Sequence, residues 1–436
     1  MNNSIWIQEC EIGPFPQLEN DLKTDVLIIG GGLAGVLCAY NLQKQGIPYT
    51  LIESGRICHG VTCGTTAKIT SQHGLIYHKL IRQFGVSAAR KYWEANEWAV
   101  NQFRLLSQSR DCEFKEIDHI IYSAEGENKL AEEIEALRLL EIPAVYVADL
   151  ELPFQAGGIL FPKQAQFHPL KFVSNIVGDL NLYEHTPACK IGGNVVQTPC
   201  GKITAEKIIV ATHFPVLNKH GGFFLKLYQE RSYIVALENA PLYKRMYRDA
   251  EKSGFSFRNY RDYLIVGGGS HRTGKKGSGW KELEFFQQKY YPDSKIVARW
   301  ANQDCITLDG LPYIGRYSKN TPNLYVATGF NKWGMTSAML ASNILVDLIQ
   351  GNQNPFSFLF EPSRSICRPQ LACNIAESAL NLVTPTVPRC PHMGCALKWN
   401  KFEHSWDCPC HGSRFSKDGE VLNLPAVSNL KDNQST

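Results

Sequence analysis

A chain of 436 residues is too long for one ordinary compact core, so two or three lobes are expected. The composition, 44% hydrophobic and 20% charged, is that of a globular protein, and the net charge of +4 is too small to indicate a nucleic acid or acidic membrane partner. The N-terminus lacks a signal peptide, and the apolar runs are too short to span a bilayer. We therefore expect a cytoplasmic protein. Its 14 cysteines favour metal binding where they cluster, since disulfides are rare in that compartment.

In chain order, the first predicted elements are a strand, a glycine turn, a helix and a strand over residues 25–53. Gly30, Gly32 and Gly35 form G-x-G-x-x-G at the turn, and Glu53 ends the second strand. Gly30 permits the tight turn, Gly32 lets the backbone approach a pyrophosphate, and Gly35 brings the helix against the strand. Glu53 is suited to hydrogen-bond ribose hydroxyls. The segment predicts a dinucleotide site without distinguishing FAD from NAD.

The middle of the chain changes its pattern twice. Residues 78 to about 150 have mainly helical periodicity, and strands and turns dominate from about 151 to 300. Gly267–Gly269 follow a strand, but the polar sequence after them cannot form the helix of a second nucleotide site, so we interpret it as a loop near the substrate. "NLYVATG" and "GMTSAMLASNILVDLIQG" then predict a buried strand and a long helix. Near residue 362 the pattern breaks, and Pro369 can begin a short helix.

The first 360 residues or so resemble the D-amino-acid oxidase and glycine oxidase superfamily of FAD-dependent oxidoreductases. The resemblance is carried by "DVLIIGGGLAGVLCAYNLQKQGIPYTLIES", "GVTCGTTAKITSQHG", "KIIVATHF", "LDGLPYIG" and "NLYVATGFNKWGMTSAMLASNILVDLI". It implies an α/β fold, in which a Rossmann-like FAD-binding domain carries an inserted α+β substrate domain. It also implies an FAD-dependent dehydrogenase that oxidises a C–N bond in an amine or amino acid.

The same resemblance assigns cofactor neighbours. The adenosine would lie on the glycine turn, residues 60–68 beside the pyrophosphate and flavin, and residues 329–336 over the flavin ring. The implied cofactor-binding residues are Gly30, Gly32, Leu33, Ala34, Gly35, Glu53, Gly64, Thr65, Thr66, Lys68, Ala211, Thr212, Gly329, Met335 and Thr336. Some relatives attach the flavin covalently to a histidine where this chain has Lys68, so we expect non-covalent FAD.

Residues 390–415, "CPHMGCALKWNKFEHSWDCPCHGSRF", contain four cysteines and three histidines. Cys390-x-His392 and Cys408-x-x-His411 are separated by 15 residues, in which "ALKW" and "SWDC" predict a hairpin. A hairpin brings its open ends together, so two thiolates and two imidazoles would converge. This donor set suits tetrahedral zinc or a [2Fe–2S] cluster with mixed ligands.

The stretch resembles the Rieske [2Fe–2S] motif, including a glycine shortly after each of the two histidines in the ligand loops, His392 and His411. The implied cluster ligands are Cys390, His392, Cys408 and His411. The resemblance also implies a disulfide between Cys395 and Cys410, and zinc needs no such extra pair of cysteines. His404 is offset from both ligand loops and is expected in an exposed turn.

The predicted organisation has three parts. Residues 1–362 form the FAD-dependent oxidoreductase, with an FAD lobe of about 20–76, 186–224 and 301–362 and a substrate lobe of about 77–185 and 225–300. Residues 363–384 form a linker with a short helix, and residues 385–430 form a small all-β Rieske hairpin segment. The strands that usually form a base below a Rieske cluster are missing or reduced, so this segment is expected to pack on the flavin lobe or on a partner subunit.

Joining the two centres predicts conversion of a two-electron oxidation into one-electron transfer. A flavin accepts a hydride and can release electrons singly, and a [2Fe–2S] cluster carries one at a time. We therefore expect an exit through the cluster to a one-electron acceptor protein or a quinone. A Rieske oxygenase would need a mononuclear iron and a large following domain, whereas only 25 residues follow His411. The alternative is a non-catalytic electron carrier or redox sensor.

The residues expected to face the flavin from the substrate side are Arg231, Tyr233, His271, Lys332 and Trp333. An arginine would suit a carboxylate through its fork of donors. Alternatively, Arg231 and Tyr233 merely belong to a strand, with Tyr233 packed in the core. His168, in "QAQFHPL", is expected to be structural.

Overall fold

The computed structural model describes residues 4–125, 128–217, 220–251, 254–385 and 388–430. Within these ranges the helices are α1 Ile5–Glu9, α2 Leu33–Lys44, α3 Tyr77–Phe84, α4 Val86–Ser107, α5 Asn128–Leu139, α6 Pro169–Val177, α7 Phe223–Lys226, α8 Lys281–Tyr290, α9 Gly334–Gln350, α10 Ser357–Phe360 and α11 Pro369–Val383, with a 3-10 turn at Thr62–Gly64. No described helix has both the length and the hydropathy needed to cross a bilayer.

The strands of the described residues form three sheets. They are β1 Leu22–Ile29, β2 Tyr49–Ile52, β3 Lys68–Ile69, β4 Lys115–Ser123, β5 Val145–Val147, β6 Gly157–Gln166, β7 Leu182–Tyr183, β8 Lys190–Gly192, β9 Val195–Thr198, β10 Gly201–Val210, β11 Leu227–Glu238, β12 Met246–Asp249, β13 Ser256–Tyr260, β14 Tyr263–Arg272, β15 Lys295–Thr307, β16 Tyr313–Arg316, β17 Leu324–Thr328, β18 Lys398–Asn400, β19 Ser405–Asp407, β20 Arg414–Ser416 and β21 Val421–Asn423.

The first sheet follows the path β16-β17-β10-β1-β2-β7, with the hairpin β8–β9 attached to β10. β1 is parallel to β2 and β10, and β10 is parallel to β17. Residues 26–29 of β1 are all buried, as expected of a parallel strand covered on both faces. The carboxyl ends of these strands meet where Gly30 turns the chain into α2. The predicted strand–turn–helix–strand is therefore confirmed.

The second sheet follows the path β15-β11-β14-β13-β12-β4-β6-β3, with β5 attached to β6. Its longest pairings lie at one edge of the sheet, where β11 is antiparallel to β14 and β15. The helical pattern predicted after residue 78 is confirmed in α3, α4 and α5. It is interrupted by β4, because the run "HIIYS" pairs with β6.

Three local expectations are corrected by the strand pairing. Leu182–Tyr183 pairs with β2 in the first sheet, although it was assigned to the substrate lobe, and Lys68–Ile69 pairs with β6 in the second, although it was assigned to the FAD lobe. Gly267–Gly269 belong to β14 rather than to a loop. A Cβ at Gly268 would lie 2.8 Å from the Phe255 ring, so glycine here permits close packing within the sheet.

The third sheet has the antiparallel order β18-β19-β20-β21. Trp399 pairs with Trp406 across β18 and β19, which confirms the predicted hairpin, while β20 and β21 extend it to four strands. His404 is exposed in the hairpin turn with φ of 50°, as expected. His168 is structural, also as expected, because its Nδ1 accepts a hydrogen bond from the Lys171 backbone and caps α6.

Helix α11 connects the two larger sheets to the third. It begins at Pro369, and its buried polar side chains point inward. Asn374 accepts a hydrogen bond from Arg272 at 3.0 Å and donates one to the backbone oxygen of Leu225 at 3.3 Å. The third sheet packs on β11, β14 and β15 of the second sheet. β11 and β14 fall within the predicted substrate lobe, so the expectation of packing on the flavin lobe is corrected for these two strands. Residues 386–387, at the start of the predicted Rieske segment, lie outside the described residues.

Candidate functional site

A cavity of about 1180 Å³ lies between the first and second sheets and extends to the third. Its wall includes the β1–α2 turn, the residues after β10 and β17, and parts of β11, β14 and β15. Another part of the wall comes from residues between Val421 and Ser428, after the predicted cluster ligands. This volume exceeds the roughly 300–1,000 Å³ typical of sites for small ligands, so the cavity is large enough for an extended cofactor.

Most of the predicted cofactor neighbours line this cavity. They are Gly30, Gly32, Leu33, Ala34, Glu53, Gly64, Thr65, Thr66, Lys68, Ala211, Thr212, Gly329 and Met335. Thr336 does not line it, because its hydroxyl is buried beside His73 Nε2 at 3.1 Å. Gly35 lies behind the turn, where helix and strand meet. The individual contacts of these residues with a cofactor remain predictions.

The three motif glycines meet different constraints. A Cβ at Gly30, where φ is 109°, would lie 2.6 Å from the backbone oxygen of Ala211, and a Cβ at Gly35 would lie 1.9 Å from that of Gly30. A Cβ at Gly32 would meet only Thr62 Oγ1, at 3.6 Å. Gly30 and Gly35 are thus required by the protein's own packing. Gly32 leaves open the space in which a pyrophosphate would approach the N-terminus of α2.

Glu53 supports the turn from the end of β2. Its carboxylate accepts hydrogen bonds from the backbone of Gly31 at 2.7 Å and of Gly55 at 2.8 Å, and it borders the cavity. These bonds hold the acid in position beside the glycine turn. The arrangement fits a ribose of a dinucleotide, for which an acid at this position is typical.

Lys68 lies at the boundary between the two larger sheets. Its Nζ donates to the backbone oxygen of Tyr247 at 2.9 Å and to the Ser256 hydroxyl. Burial, followed by the charges of Arg248 and Arg258, holds the pKa of Lys68 well below its usual range. The cavity therefore has an amine here that loses its proton more readily than an exposed lysine does.

Arg231 is not directed to a substrate. Its Nε donates to Glu403 Oε1 at 2.8 Å, and its Nη2 donates to Glu403 Oε2. Both side chains are buried, and Glu403 belongs to the turn between β18 and β19. The interpretation of Arg231 as a carboxylate ligand for the substrate is therefore wrong, because its fork of donors holds the third sheet.

The other substrate candidates separate into two groups. Tyr233 borders the cavity, but its hydroxyl donates to Glu403 at 3.1 Å, and His271 stacks on its ring instead of lining the cavity. The role of His271 toward a substrate stays a prediction. Lys332 does line the cavity and forms an ion pair with Glu230 at 2.8 Å, and Trp333 lines it too. Their roles toward a substrate remain predictions.

Two acids that the sequence analysis missed lie beside Lys332. Glu230 and Asp304 are register partners on β11 and β15, and both line the cavity. Burial raises the pKa of Asp304 to about 6, with Lys332 opposing the shift and Glu230 adding to it. Side-chain alternation along β11 could have indicated Glu230. Neighbouring residues of a strand point to opposite faces, so Glu230 and Arg231 cannot both face the cavity.

The predicted cluster ligands converge at one end of the third sheet. All four cysteines of the two loops are buried, and the sulfurs of Cys395, Cys408 and Cys410 lie within 4.8 Å of one another. The rings of His392 and His411 are 5.0 Å apart and nearly perpendicular.

The chemistry of this donor set fits a metal cluster. Burial lowers the pKa of His392 to about 4 and that of His411 to about 3, so both rings are neutral, as ligands must be. His411 Nδ1 is buried without a hydrogen-bond partner among the described residues. A buried nitrogen without a hydrogen-bond partner, beside thiols, is suited to bind iron, because the metal would take the place of that partner.

Cys395 and Cys410 are free thiols in this structure. Their sulfurs share the group that lies within 4.8 Å, so the predicted close approach is present. The disulfide between them stays a prediction.

The fold and the two sites define a class of protein. The chain belongs to the FAD dependent oxidoreductase (DAO) family, which matches residues 25–348, and residues 382–434 match the Rieske [2Fe-2S] domain. It is thus an FAD-dependent oxidoreductase, and its cofactors are FAD and a [2Fe–2S] cluster. The family match decides between iron–sulfur and zinc at the cysteine site.

Similar proteins include one with the same two parts. The chain is 33% identical to the "Putative Rieske 2Fe-2S iron-sulfur protein YhfW" of Bacillus subtilis (strain 168), over 98% of this chain and 97% of that protein. It is 22% identical to gamma-glutamylputrescine oxidoreductase of Escherichia coli (strain K12), over 79% of this chain and 87% of that protein. Its fold is similar to that of glycine oxidase from Geobacillus kaustophilus, with a TM-score of 0.67, 20% identity, and coverage of 79% of this chain and 100% of that chain.

The open space at Gly32 generates a test of the cofactor site. Gly32→Val should abolish FAD binding by blocking pyrophosphate approach, while the fold persists because the new side chain meets little protein. Glu53→Ala should weaken binding without abolishing it. Flavin absorbance of the purified variants and far-UV circular dichroism measure the two effects, with Gly178→Ala, which also meets open space, as the control. Wild-type flavin content in Gly32→Val would contradict the assignment of the pyrophosphate site to Gly32.

Acid precipitation of the wild-type protein tests the attachment of the flavin. Flavin retained in the precipitate would contradict non-covalent binding.

The cysteine geometry generates a second test. In protein denatured without reductant, Cys395 and Cys410 should resist alkylation and be recovered as linked peptides by mass spectrometry. The exposed Cys367 and Cys373 are internal controls and should be fully alkylated. A buried bridge of low potential can persist in a reducing compartment. Complete alkylation of Cys395 and Cys410 would disprove the bond.

Proposed function

We propose that this enzyme oxidises a C–N bond of an amine or amino acid and passes the electrons singly through its Rieske domain to an external acceptor. A bound FAD supplies hydride acceptance, and a bound [2Fe–2S] cluster supplies one-electron transfer. The acceptor would be a one-electron carrier protein or a quinone. Exposed Met393 and Gly394 in the first ligand loop leave room for its approach.

The observation that carries the proposal is the position of Phe214. Residues 211–213 line the cavity, and Phe214 is fully buried next to them. The Phe214 ring packs edge-to-face against His392 at 6.3 Å and against His411 at 6.2 Å, measured between ring centroids. One short segment therefore contacts the flavin cavity and both histidine ligands. Electron transfer falls steeply with distance, so this proximity favours a direct exit from flavin to cluster.

The cavity wall supports an amine as the substrate. Glu230 and Asp304 provide carboxylates that can accept charge-assisted hydrogen bonds from an ammonium group. Arg231 is paired with Glu403 and is therefore not available to a substrate carboxylate. The names of the similar proteins refer to glycine and gamma-glutamylputrescine. L-proline dehydrogenase from P. horikoshii also has a similar fold, with a TM-score of 0.66 and 18% identity. The match covers 80% of this chain and 98% of that chain. All three compounds contain C–N bonds.

The acids generate a test of substrate binding. Amines and amino acids are first screened anaerobically for bleaching of the flavin colour, and complete failure of the screen would favour a non-catalytic carrier or sensor. For a substrate that bleaches, the dissociation constant from stopped-flow flavin reduction should rise as the pH falls through about 6, because Asp304 becomes protonated. Asp304→Asn should weaken binding by about tenfold or more at pH 7 and remove this pH dependence.

The other charged groups whose electrostatic influence reaches Asp304 are Lys332, Glu230, Arg231 and Arg248. Asp249→Asn is the matched control, since the pKa of this cavity acid is also raised to about 6 by burial. That variant should keep the wild-type pH profile. An unchanged profile in Asp304→Asn would remove Asp304 from the substrate site.

The exit route is tested by His411→Cys. A thiolate can still hold iron, but the cluster potential falls toward that of all-cysteine ferredoxins. Substrate should reduce the flavin at a near-normal rate, while reduction of a one-electron acceptor slows. Stopped-flow absorbance follows the two phases, and His404→Asn, in the exposed turn of the same sheet, is the control. Unchanged acceptor turnover with a demonstrably lower cluster potential would make the cluster structural.

A further inference from the structure

The Rieske domain of this chain has little core of its own. Its strands are three residues long, and its buried apolar cluster is Cys390, Cys395, Leu397, Cys408, Cys410, Phe415 and Ala426. Most of these residues are the cysteines of the cluster site. A sheet of this size buries too little apolar surface to fix a ligand loop by itself. Something else must hold the loop from Cys408 to Gly412.

Side chains of the flavin-bearing part bind that loop through its backbone oxygens. Arg272 donates from Nε to the Pro409 oxygen and from Nη2 to the Cys410 oxygen, both at 3.0 Å. Gln229 Nε2 donates to the oxygen of His411 at 2.7 Å. Gln303 Nε2 donates to the oxygen of Gly412 at 2.8 Å. Every backbone oxygen from residue 409 to residue 412 therefore accepts a hydrogen bond from the second sheet.

These three donors are themselves fixed in place. Gln229 and Gln303 are buried on the adjacent strands β11 and β15, and Thr273 bonds the Gln303 oxygen at 3.3 Å, which orients its amide. Gln229 Nε2 also donates to the Leu424 oxygen at 2.8 Å, in the segment that closes the cavity. Arg272 is held by its bond to Asn374 of α11. Rigid donors of this kind fix the position of what they bind.

The two backbones also approach each other closely. A Cβ at Gly274 would lie 2.6 Å from the Pro409 nitrogen, and a Cβ at Gly412 would lie 2.6 Å from Gln229 Cβ. Both glycines have positive φ, 75° and 86°. Glycine at these two positions thus lets the main chain of the ligand loop lie directly against the second sheet, where a larger residue would not fit.

Arg272 also adds a charge. Its guanidinium donates to the backbone oxygens of Pro409 and Cys410, and both residues lie between the ligands Cys408 and His411. Reduction of a [2Fe–2S] cluster adds one negative charge. A fixed positive charge nearby stabilises the reduced form more than the oxidised form, and therefore raises the reduction potential.

We propose that the second sheet of the flavin-bearing part replaces the missing base of the Rieske domain, with Arg272, Gln229 and Gln303 as positioning residues for the ligand loop. Arg272 additionally raises the potential of the cluster. The inference depends on the Rieske domain alone and does not require that electrons leave the flavin through it.

The test compares variants of the full-length holoprotein under chemical reduction, so no substrate is needed. Arg272→Met should lower the cluster potential and shift its electron paramagnetic resonance spectrum. Arg272→Lys keeps the charge but replaces the planar fork of two nitrogens by a single nitrogen on a flexible stem, so it should restore most of the potential and retain part of the spectral shift. Gln229→Met should shift the spectrum with a smaller change in potential, because no charge is removed.

The matched control is Gln287→Met. Gln287 is a buried glutamine whose Nε2 donates to two backbone oxygens, those of Tyr291 at 3.0 Å and Ser294 at 2.9 Å, within α8 and the turn after it. This variant should lose similar stability but keep the wild-type spectrum and potential. Loss of the cluster in Arg272→Met or Gln229→Met with the flavin retained would also support the proposal. Wild-type spectra and potentials in both variants would overturn it, whatever the substrate experiments give.

Discussion

The buried carboxylate of Glu403 joins the two parts of this molecule. It accepts hydrogen bonds from Arg231 and Tyr233 of the second sheet, and it lies 3.0 Å from Arg414 of its own sheet. Burial opposes its ionisation, but the hydrogen bonds and charges of Arg231 and Arg414 lower the pKa of Glu403 to about 2. Loss of one partner from such a pair leaves a buried charge and typically costs about 3–5 kcal/mol.

This one interaction affects both redox sites. Strand alternation puts Arg231 on the face of β11 opposite Glu230, and the ion pair with Glu403 holds it there, whereas the charged groups Glu230, Asp304 and Lys332 line the cavity. It also fixes the third sheet against the second, where the residues after β21 complete the cavity wall. The cavity wall of this flavoenzyme is thus partly built by its iron–sulfur domain. Because β11 contributes Gln229, Glu230 and Arg231 in succession, a single strand contacts the cluster loop, the cavity and the docking carboxylate.

Local patterns were sufficient where neighbours in sequence are also neighbours in space. The glycine turn, the acid at the end of β2, the hairpin between the ligand loops and the start of α11 at Pro369 all depend on contacts within about 30 residues. Sequence reasoning failed where a side chain's partner comes from a distant segment. Arg231 donates hydrogen bonds to Glu403, which is 172 residues away in sequence. The glycines of β14 lie in a sheet because β14 pairs with β11 and β13.

The sequence by itself determined where the two sites lie and which donors each offers, because the spacing of glycines, cysteines and histidines along the chain sets the local turns that present them. FAD rather than NAD, and iron–sulfur rather than zinc, follow from the family matches. The sequence also indicated that the Rieske segment lacks a base. Only the tertiary structure decided what replaces that base and which polar groups face the cavity. The reason is physical: the donors Arg272, Gln229 and Gln303 are placed by strand register in one sheet and by the approach of another. Neither the strand register nor the approach of the third sheet is encoded in any local run of residues.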